Sequence, residues 1–147
     1  MKKYGFLLFL SFFWVKIFAQ QFAFQNYSVS DGLAQSQVYA MIKDSQGYIW
    51  MGTQGGGLSR FDGINFTSFT SARDSLSNNY VKALFEDKEG NLWIGTQGGL
   101  NKFDGLSFKV IPNTERHFIT AIAQDPSGFL WVGTNQGVYQ YLSLIHI

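Results

Sequence analysis

An all-β fold of small sheets stacked side by side is predicted by three observations. A single motif occurs three times, as Asp44-Ser45-Gln46-Gly47-Tyr48-Ile49-Trp50-Met51-Gly52-Thr53, as Asp87-Lys88-Glu89-Gly90-Asn91-Leu92-Trp93-Ile94-Gly95-Thr96 and as Asp125-Pro126-Ser127-Gly128-Phe129-Leu130-Trp131-Val132-Gly133-Thr134. Each copy is bounded by residues that close tight turns. The runs between those turns are apolar on both faces, so any sheet they form must be covered on both sides. Trp50 and Trp93 are 43 residues apart and Trp93 and Trp131 are 38 apart. A period of about 40–45 residues with strand signals is the mark of a blade-type β-propeller.

Each unit opens with a short apolar run, Val38 to Ile42, Val81 to Phe85 or Ile119 to Ala123. The turn Asp-x-x-Gly follows. Asp44, Asp87 and Asp125 can bond their own backbone two residues on, and Gly47, Gly90 and Gly128 supply the positive φ that closes the loop. The second run, Tyr48 to Thr53 and its equivalents, is aromatic and β-branched and reads as strand. Gly52, Gly95 and Gly133 lie inside it, where glycine signals a bulge or a closely approaching backbone. Thr53, Thr96 and Thr134 end it. A third strand follows at Leu58 to Phe61 and Leu100 to Phe103, then the hairpin signals Asp62-Gly63 and Asp104-Gly105. A fourth strand is expected around Phe66 to Phe69 and Phe108 to Ile111. Turns this short permit only antiparallel pairing, so each unit is a four-stranded meander. Burying one Trp removes roughly 150–250 Å² from water, worth at most about 4–6 kcal/mol. The repeated Trp is therefore expected to pack between blades.

The 147-residue chain is 46% hydrophobic and 18% aromatic, with 14% charged residues and a net charge of +1. No basic field exists for nucleic acid and no acidic tail for a basic partner. Cysteine is absent, which excludes disulfides and thiolate metal sites. Lys2 and Lys3, the apolar stretch Gly5 to Val15 and the small residue Ala19 have the layout of a secretory signal peptide. Residues 1–19 are thus expected to be cleaved and the remainder exported to the periplasm. Lys16 interrupts the apolar run, which falls short of the roughly 20 residues of a spanning helix.

The expected organisation is a partial propeller over 20–141. Residues 22–29 form an orphan closing strand, blade 1 covers about 38–70, blade 2 about 81–111 and an incomplete blade 3 about 119–141. Propellers use about four to eight blades, so the chain reads as an N-terminal fragment: an incomplete arc of about three blades. Residues 142–147 depart from the pattern and read as a truncation or read-through scar.

The match of Val81, Leu84, Asp87, Gly90, Leu92, Trp93, Ile94, Gly95, Thr96, Gly99, Leu100, Phe103, Asp104 and Gly105, repeated three times, resembles the two-component regulator propeller repeat. The resemblance covers about residues 22–141. It implies a periplasmic sensor region of a bacterial hybrid two-component system, with further blades and a membrane-anchored histidine kinase downstream and an oligosaccharide as ligand. The third unit departs from the motif at Gln136-Gly137 and has no Asp-Gly after Tyr141.

A residue repeated in every blade shapes a turn far more often than it holds a metal, so the Asp residues are read as structural. His117 and His146 have no Ser, Cys or carboxylate partner at triad-like or metal-like spacing. No catalytic residue, metal or cofactor is expected. In a meander, successive turns alternate between the two faces of the ring. The Asp turns share one face, nearly constant between units; the Gln-Gly-Gly turns and the connections between blades share the other, where the sequence varies. Gln54, Arg73, Asn78, Asn79, Gln97, Glu115, Arg116 and His117 are accordingly the candidate ligand-face residues. The leading expectation is a sensory module binding a saccharide. A secreted propeller enzyme acting on polysaccharide and a scaffold or adhesion propeller are the alternatives. The three-residue step from Asp44 to Gly47 differs from the two-residue step of the sialidase Asp-box.

Overall fold

The computed structural model describes residues 23–141. The expected signal peptide, 1–19, and the tail, 142–147, lie outside the described residues. Eleven strands are present among them, and they follow the turn chemistry closely. β1 (Val38–Lys43), β2 (Ile49–Thr53), β3 (Leu58–Phe61) and β4 (Phe66–Phe69) form the first sheet, in that order. β5 (Val81–Glu86), β6 (Leu92–Thr96), β7 (Gly99–Phe103) and β8 (Phe108–Val110) form the second. β9 (Ile119–Gln124), β10 (Leu130–Thr134) and β11 (Gly137–Tyr141) form a third, three-stranded sheet. Every pairing is antiparallel. The chain is an all-β arc of propeller blades, with β1, β5 and β9 adjacent in turn along one side.

The Asp turns are held by their own carboxylates. Asp44 Oδ1 accepts from the Gln46 and Tyr48 amides at 3.0 and 2.8 Å, and Asp87 Oδ1 from Glu89 and Asn91 at 3.1 and 2.8 Å. The second carboxylate oxygen reaches forward to the indole of the same unit. Trp50 Nε1 donates to Asp44 Oδ2 at 2.7 Å, Trp93 Nε1 to Asp87 Oδ2 at 2.7 Å and Trp131 Nε1 to Asp125 Oδ2 at 3.0 Å. One residue thus closes the first hairpin and fixes the orientation of the packing side chain, joined by charge-assisted bonds.

The mid-strand glycines serve both purposes expected of them. β1 and β5 each carry an irregularity opposite Gly52–Thr53 and Gly95–Thr96, and the next blade rests directly on the glycine. A Cβ on Gly52 would stand 2.6 Å from Val81 Cγ1, and one on Gly95 would stand 2.7 Å from Ile119 Cγ2. Val81 and Ile119 are both buried. The first junction encloses Trp50, Leu58, Leu76, Val81, Leu92, Ile94, Phe103 and Phe108; the second encloses Trp93, Leu100, Ile111, Ile119, Leu130 and Val132. Trp50 and Trp93 are 2% and 1% exposed, whereas Trp131 is 42% exposed, because no described residue covers its face of the third sheet.

The expected strand at 22–29 is not formed over its described residues. Ala23 to Ser28 join no sheet, and a 3₁₀ turn follows at Val29–Asp31. Local bonding takes the place of a ladder here: Asp31 Oδ2 accepts from the Ser28 amide and hydroxyl at 2.8 and 2.9 Å, a capping box that competes with strand pairing. Tyr27 is held instead by rings of the first sheet, 5.1 Å from Phe61 and 5.7 Å from Phe66.

Candidate functional site

The two ends of the meanders are spent differently. At one end lie the Asp turns, β1–β2, β3–β4, β5–β6, β7–β8 and β9–β10. Their side chains are engaged with their own backbone, as at Asp62, which accepts from Ile64 and Asn65 at 2.8 and 2.7 Å. Those bonds hold the carboxyls of Asp62 and Asp104 below the ordinary value of 3.8. Asp104 falls to about 2, from the Ser107 and Leu106 amides first and then from Lys109, whose Nζ is 3.2 Å away. At Asp125 the indole of Trp131 is the largest cause of a lowered value.

The opposite end gathers the β2–β3, β6–β7 and β10–β11 turns with the connections between sheets. Thr53, Thr96 and Thr134 close the turns by donating from Oγ1 to the carbonyls of Gly57, Gly99 and Gly137. Four candidate residues converge here. Gln54 bridges Tyr80, the Gly55 and Gly57 amides donate to the Asn79 carbonyl, and the Gln97 amide donates to the Tyr80 carbonyl at 3.1 Å. The side-chain oxygens of Asn78 and Asn79 brace the connection, accepting from the Tyr80 and Ser71 amides at 2.8 and 2.7 Å. Gln54 Oε1 is buried and has no hydrogen-bond partner among the described residues.

A second group is formed by Glu115, Arg116 and His117, which line one depression with Asn113 and Gln136. Arg73 joins neither group. It donates to the Ser68 carbonyl at 2.7 Å and lies 3.8 Å from Asp74, along a groove that also contains Phe69, Leu106 and Phe108. Among the described residues no group of three or more His, Cys, Asp or Glu is placed to hold a metal ion.

Two features escaped the sequence reading. Arg60 stacks over the rings of Tyr48, Trp50 and Phe69 at 4.6, 5.6 and 5.8 Å, in cation–π contact with a blade junction; Lys102, opposite Trp93 as Arg60 is opposite Trp50, lies 5.5 Å over the Trp93 ring, so the signal was a basic residue two positions before Asp62 and Asp104. The Asp–indole bond has one too, the constant six-residue step from Asp44 to Trp50, Asp87 to Trp93 and Asp125 to Trp131.

Comparison with known proteins agrees with this geometry. The family model described as two component regulator propeller matches residues 32–55, 75–98 and 116–136. Two solved structures from B. thetaiotaomicron, each the extracellular domain of a protein assigned as a hybrid two component system, are similar. That of BT3049 is 25% identical with a TM-score of 0.67, over 80% of this chain and 18% of that one. That of BT4673 is 29% identical with a TM-score of 0.68, over 80% of this chain and 17% of that one. The chain therefore spans less than a fifth of either. A catalytically inactive virginiamycin B lyase from Staphylococcus aureus, 15% identical with a TM-score of 0.50 over 74% of this chain and 42% of its own, shares the fold alone. No curated protein matches the chain. The thrice-repeated match and the stacked antiparallel meanders agree, and the chain carries three two component regulator propeller repeats.

Proposed function

We propose that this chain is part of the extracytoplasmic ligand-binding propeller of a two-component sensor, that it recognises a saccharide, and that binding rather than catalysis is its role. The reading is supported chiefly by the division of labour between the two ends of the meanders. The Asp turns repeat and are consumed by structure, while the varying polar residues collect at the turn-and-connection end, around Tyr80 and around His117. A scaffold that repeats while one face varies concentrates specificity on that face. Amide and guanidinium groups suit the hydroxyls of a sugar. The similarity to extracellular domains of hybrid two component systems supports export to the periplasm, with 1–19 as the signal peptide and 20–141 as part of a larger propeller. Further blades and a membrane-anchored kinase would complete the receptor, and ligand contact would be passed on mechanically through packed sheets.

Titrating the chain with a broad oligosaccharide panel, followed by thermal shift and calorimetry, tests the proposal. A saccharide that raises the melting temperature, and whose effect falls at least about fivefold on Gln97→Ala, supports it, since one lost hydrogen bond is worth about that much. No shift with any member of the panel, or turnover of a polysaccharide, contradicts it.

A further inference from the structure

The three units enter their sheets by the same backbone turn but close it differently. Gly32, Ser75 and Asn113, each six residues before the first strand of its unit, share a positive φ of 105°, 62° and 67°. In the first two units the next residue is a leucine, Leu33 or Leu76, and both are buried. The amide after it is pinned to the sheet, Ala34 to Ser59 Oγ at 3.0 Å and Ser77 to Asn101 Oδ1 at 2.9 Å. A turn of the sheet then lies flat on the pinned residue. A Cβ on Gly56 would stand 2.7 Å from the Ala34 carbonyl oxygen, and one on Gly98 2.8 Å from that of Ser77. Neither glycine has a positive φ, so it is space that demands them.

The third unit differs at all three places. Its connection, from β8 to β9, contains no leucine. Thr114 stands there and bonds back to the second sheet, donating to the Ile111 carbonyl at 2.6 Å and accepting from the Leu100 amide at 3.0 Å. Tyr139, paired with Val132, stands where Asn101 stands opposite Ile94. It packs its ring 4.8 Å from that of His117, and the Glu115 amide has no hydrogen-bond partner among the described residues. Gln136 takes the place of Gly98 in a turn otherwise alike: each amide lies 3.0 Å from the hydroxyl of the threonine two residues before it. A side chain at that place cannot lie flat on the connection. The result is a depression of about 630 Å³ bordered by Asn113, Glu115, Arg116, His117 and Gln136. Asn113 and His117 also line an adjoining apolar recess of about 290 Å³, with Leu100, Ile119, Val132 and Tyr139. His117 Nδ1 is shut in and has no hydrogen-bond partner among the described residues.

We propose that the depression is a sugar subsite of the saccharide face, and that Gln136 both holds it open and hydrogen-bonds the sugar it takes. The proposal rests on the saccharide reading and adds to it a place and a residue. Three departures from the repeat coincide at this one opening, whereas the matching places in the first two sheets are shut against the connection. Its volume falls within the range of ligand pockets, about 300–1,000 Å³. Its polar groups are also uncommitted. In the connection of the first junction Arg73, Asp74, Asn78 and Asn79 are all engaged with nearby backbone. Here the side chains of Asn113, Glu115, Arg116 and Gln136 make no hydrogen bond or ion pair with any described residue. A carboxamide both donates and accepts, a carboxylate accepts and a guanidinium donates, which is the set that neighbouring sugar hydroxyls require.

Two variants separate the roles of Gln136. Gln136→Ala keeps the Cβ that holds the connection away and removes the carboxamide; Gln136→Gly restores what the first two sheets have there. The full chain and both variants are titrated by NMR with the oligosaccharide panel, cello-, malto-, xylo-, manno- and galacto-oligosaccharides among it, read at the Gln136 side-chain amide and the Glu115 backbone amide. A saccharide that binds should shift both signals and bind Gln136→Ala about fivefold more weakly, the effect of one neutral hydrogen bond. It should bind Gln136→Gly more weakly still. Binding that moves neither signal, or that is alike in all three chains, overturns the subsite and leaves the saccharide reading standing; no binding by any member overturns both. Hydrogen exchange without saccharide tests the opening by itself. The Ser77 amide should exchange more slowly than the Glu115 amide, and Gln136→Gly with Tyr139→Asn should slow Glu115 by about fivefold. Equal rates at Ser77 and Glu115 in the unsubstituted chain overturn the proposal.

Discussion

At the junction of the first and second sheets Gly52 lies under Val81; at the junction of the second and third, Gly95 lies under Ile119. Asp44 and Asp87 hold the indoles that fill each gap. What surrounds those shared parts differs. The first junction is a continuous aromatic cluster, with Trp50 5.6 Å from Phe69 and 5.5 Å from Phe103, and Phe103 stacked 4.5 Å from Phe108. In the second, Trp93 meets a single ring among the described residues, Tyr141, at 5.7 Å, and the leucine of the connection is missing. The backbone plan is thus set by residues that repeat. The quality of packing is set by residues that do not.

The largest effect should come from the indoles. Trp50→Ala and Trp93→Ala are each expected to cost about 3–5 kcal/mol. Trp50 should lie at the upper end, since it loses aromatic pairs worth about 0.5–1.5 kcal/mol apiece as well. Trp131→Ala, at a half-exposed site, should cost distinctly less; urea unfolding of the three variants gives the order. Equal losses for all three would show that the indoles do not pack between blades.

Next come the glycines. Gly52→Val and Gly95→Val force a side chain against the next blade and should each cost about 1–3 kcal/mol or more. Gly133→Val meets Ala121 and Thr120 of its own sheet, at 3.2 and 3.6 Å, and should cost less. Denaturation midpoints compare them, and a Gly133→Val variant as unstable as Gly95→Val would contradict the close-approach explanation.

A smaller effect concerns the turns at the Asp end, where Asp62 and Asp104 occupy the same place in successive blades. Both carboxyls are lowered on folding, so each contributes stability that is present above the ordinary value of 3.8 and lost as pH falls through the folded value. For Asp104 that loss runs from 3.8 down to about 2. Lys109 is part of the cause, and blade 1 has Thr67 at the corresponding place. Lys109→Thr should therefore raise the Asp104 titration midpoint towards 3.8, as followed by carboxyl NMR shifts, and leave Asp62 unmoved. An unchanged Asp104 would remove Lys109 from the account.

The blade-forming elements were legible because their causes are local and recur. Asp44, Gly47, Trp50 and Gly52 each announce a turn, a packing side chain or a close approach, and the structure uses them so, as it does Asp87 and Gly95. Over 23–28 no strand forms; the partner expected for that segment is the edge of a last blade, which the described residues do not include. The recess was not legible at all. It arises from an absent leucine in one connection together with Tyr139 and His117, 22 residues apart and brought together only by the antiparallel register of β10 and β11. The candidate residues around Tyr80 lie at the turn-and-connection end of the meander. That Asn78 and Asn79 spend their side-chain oxygens on the loop depended on geometry the pattern does not encode.

The claim that non-repeating residues set the quality of each junction is tested most directly by a reciprocal pair, Leu76→His and His117→Leu, measured by urea unfolding under one set of conditions. Leu76→His should destabilise by about 2–5 kcal/mol, because it removes a buried aliphatic side chain and buries a polar one. His117→Leu should stabilise, because it removes an unpaired buried nitrogen and fills apolar space. Losses of similar size from both substitutions would contradict the account.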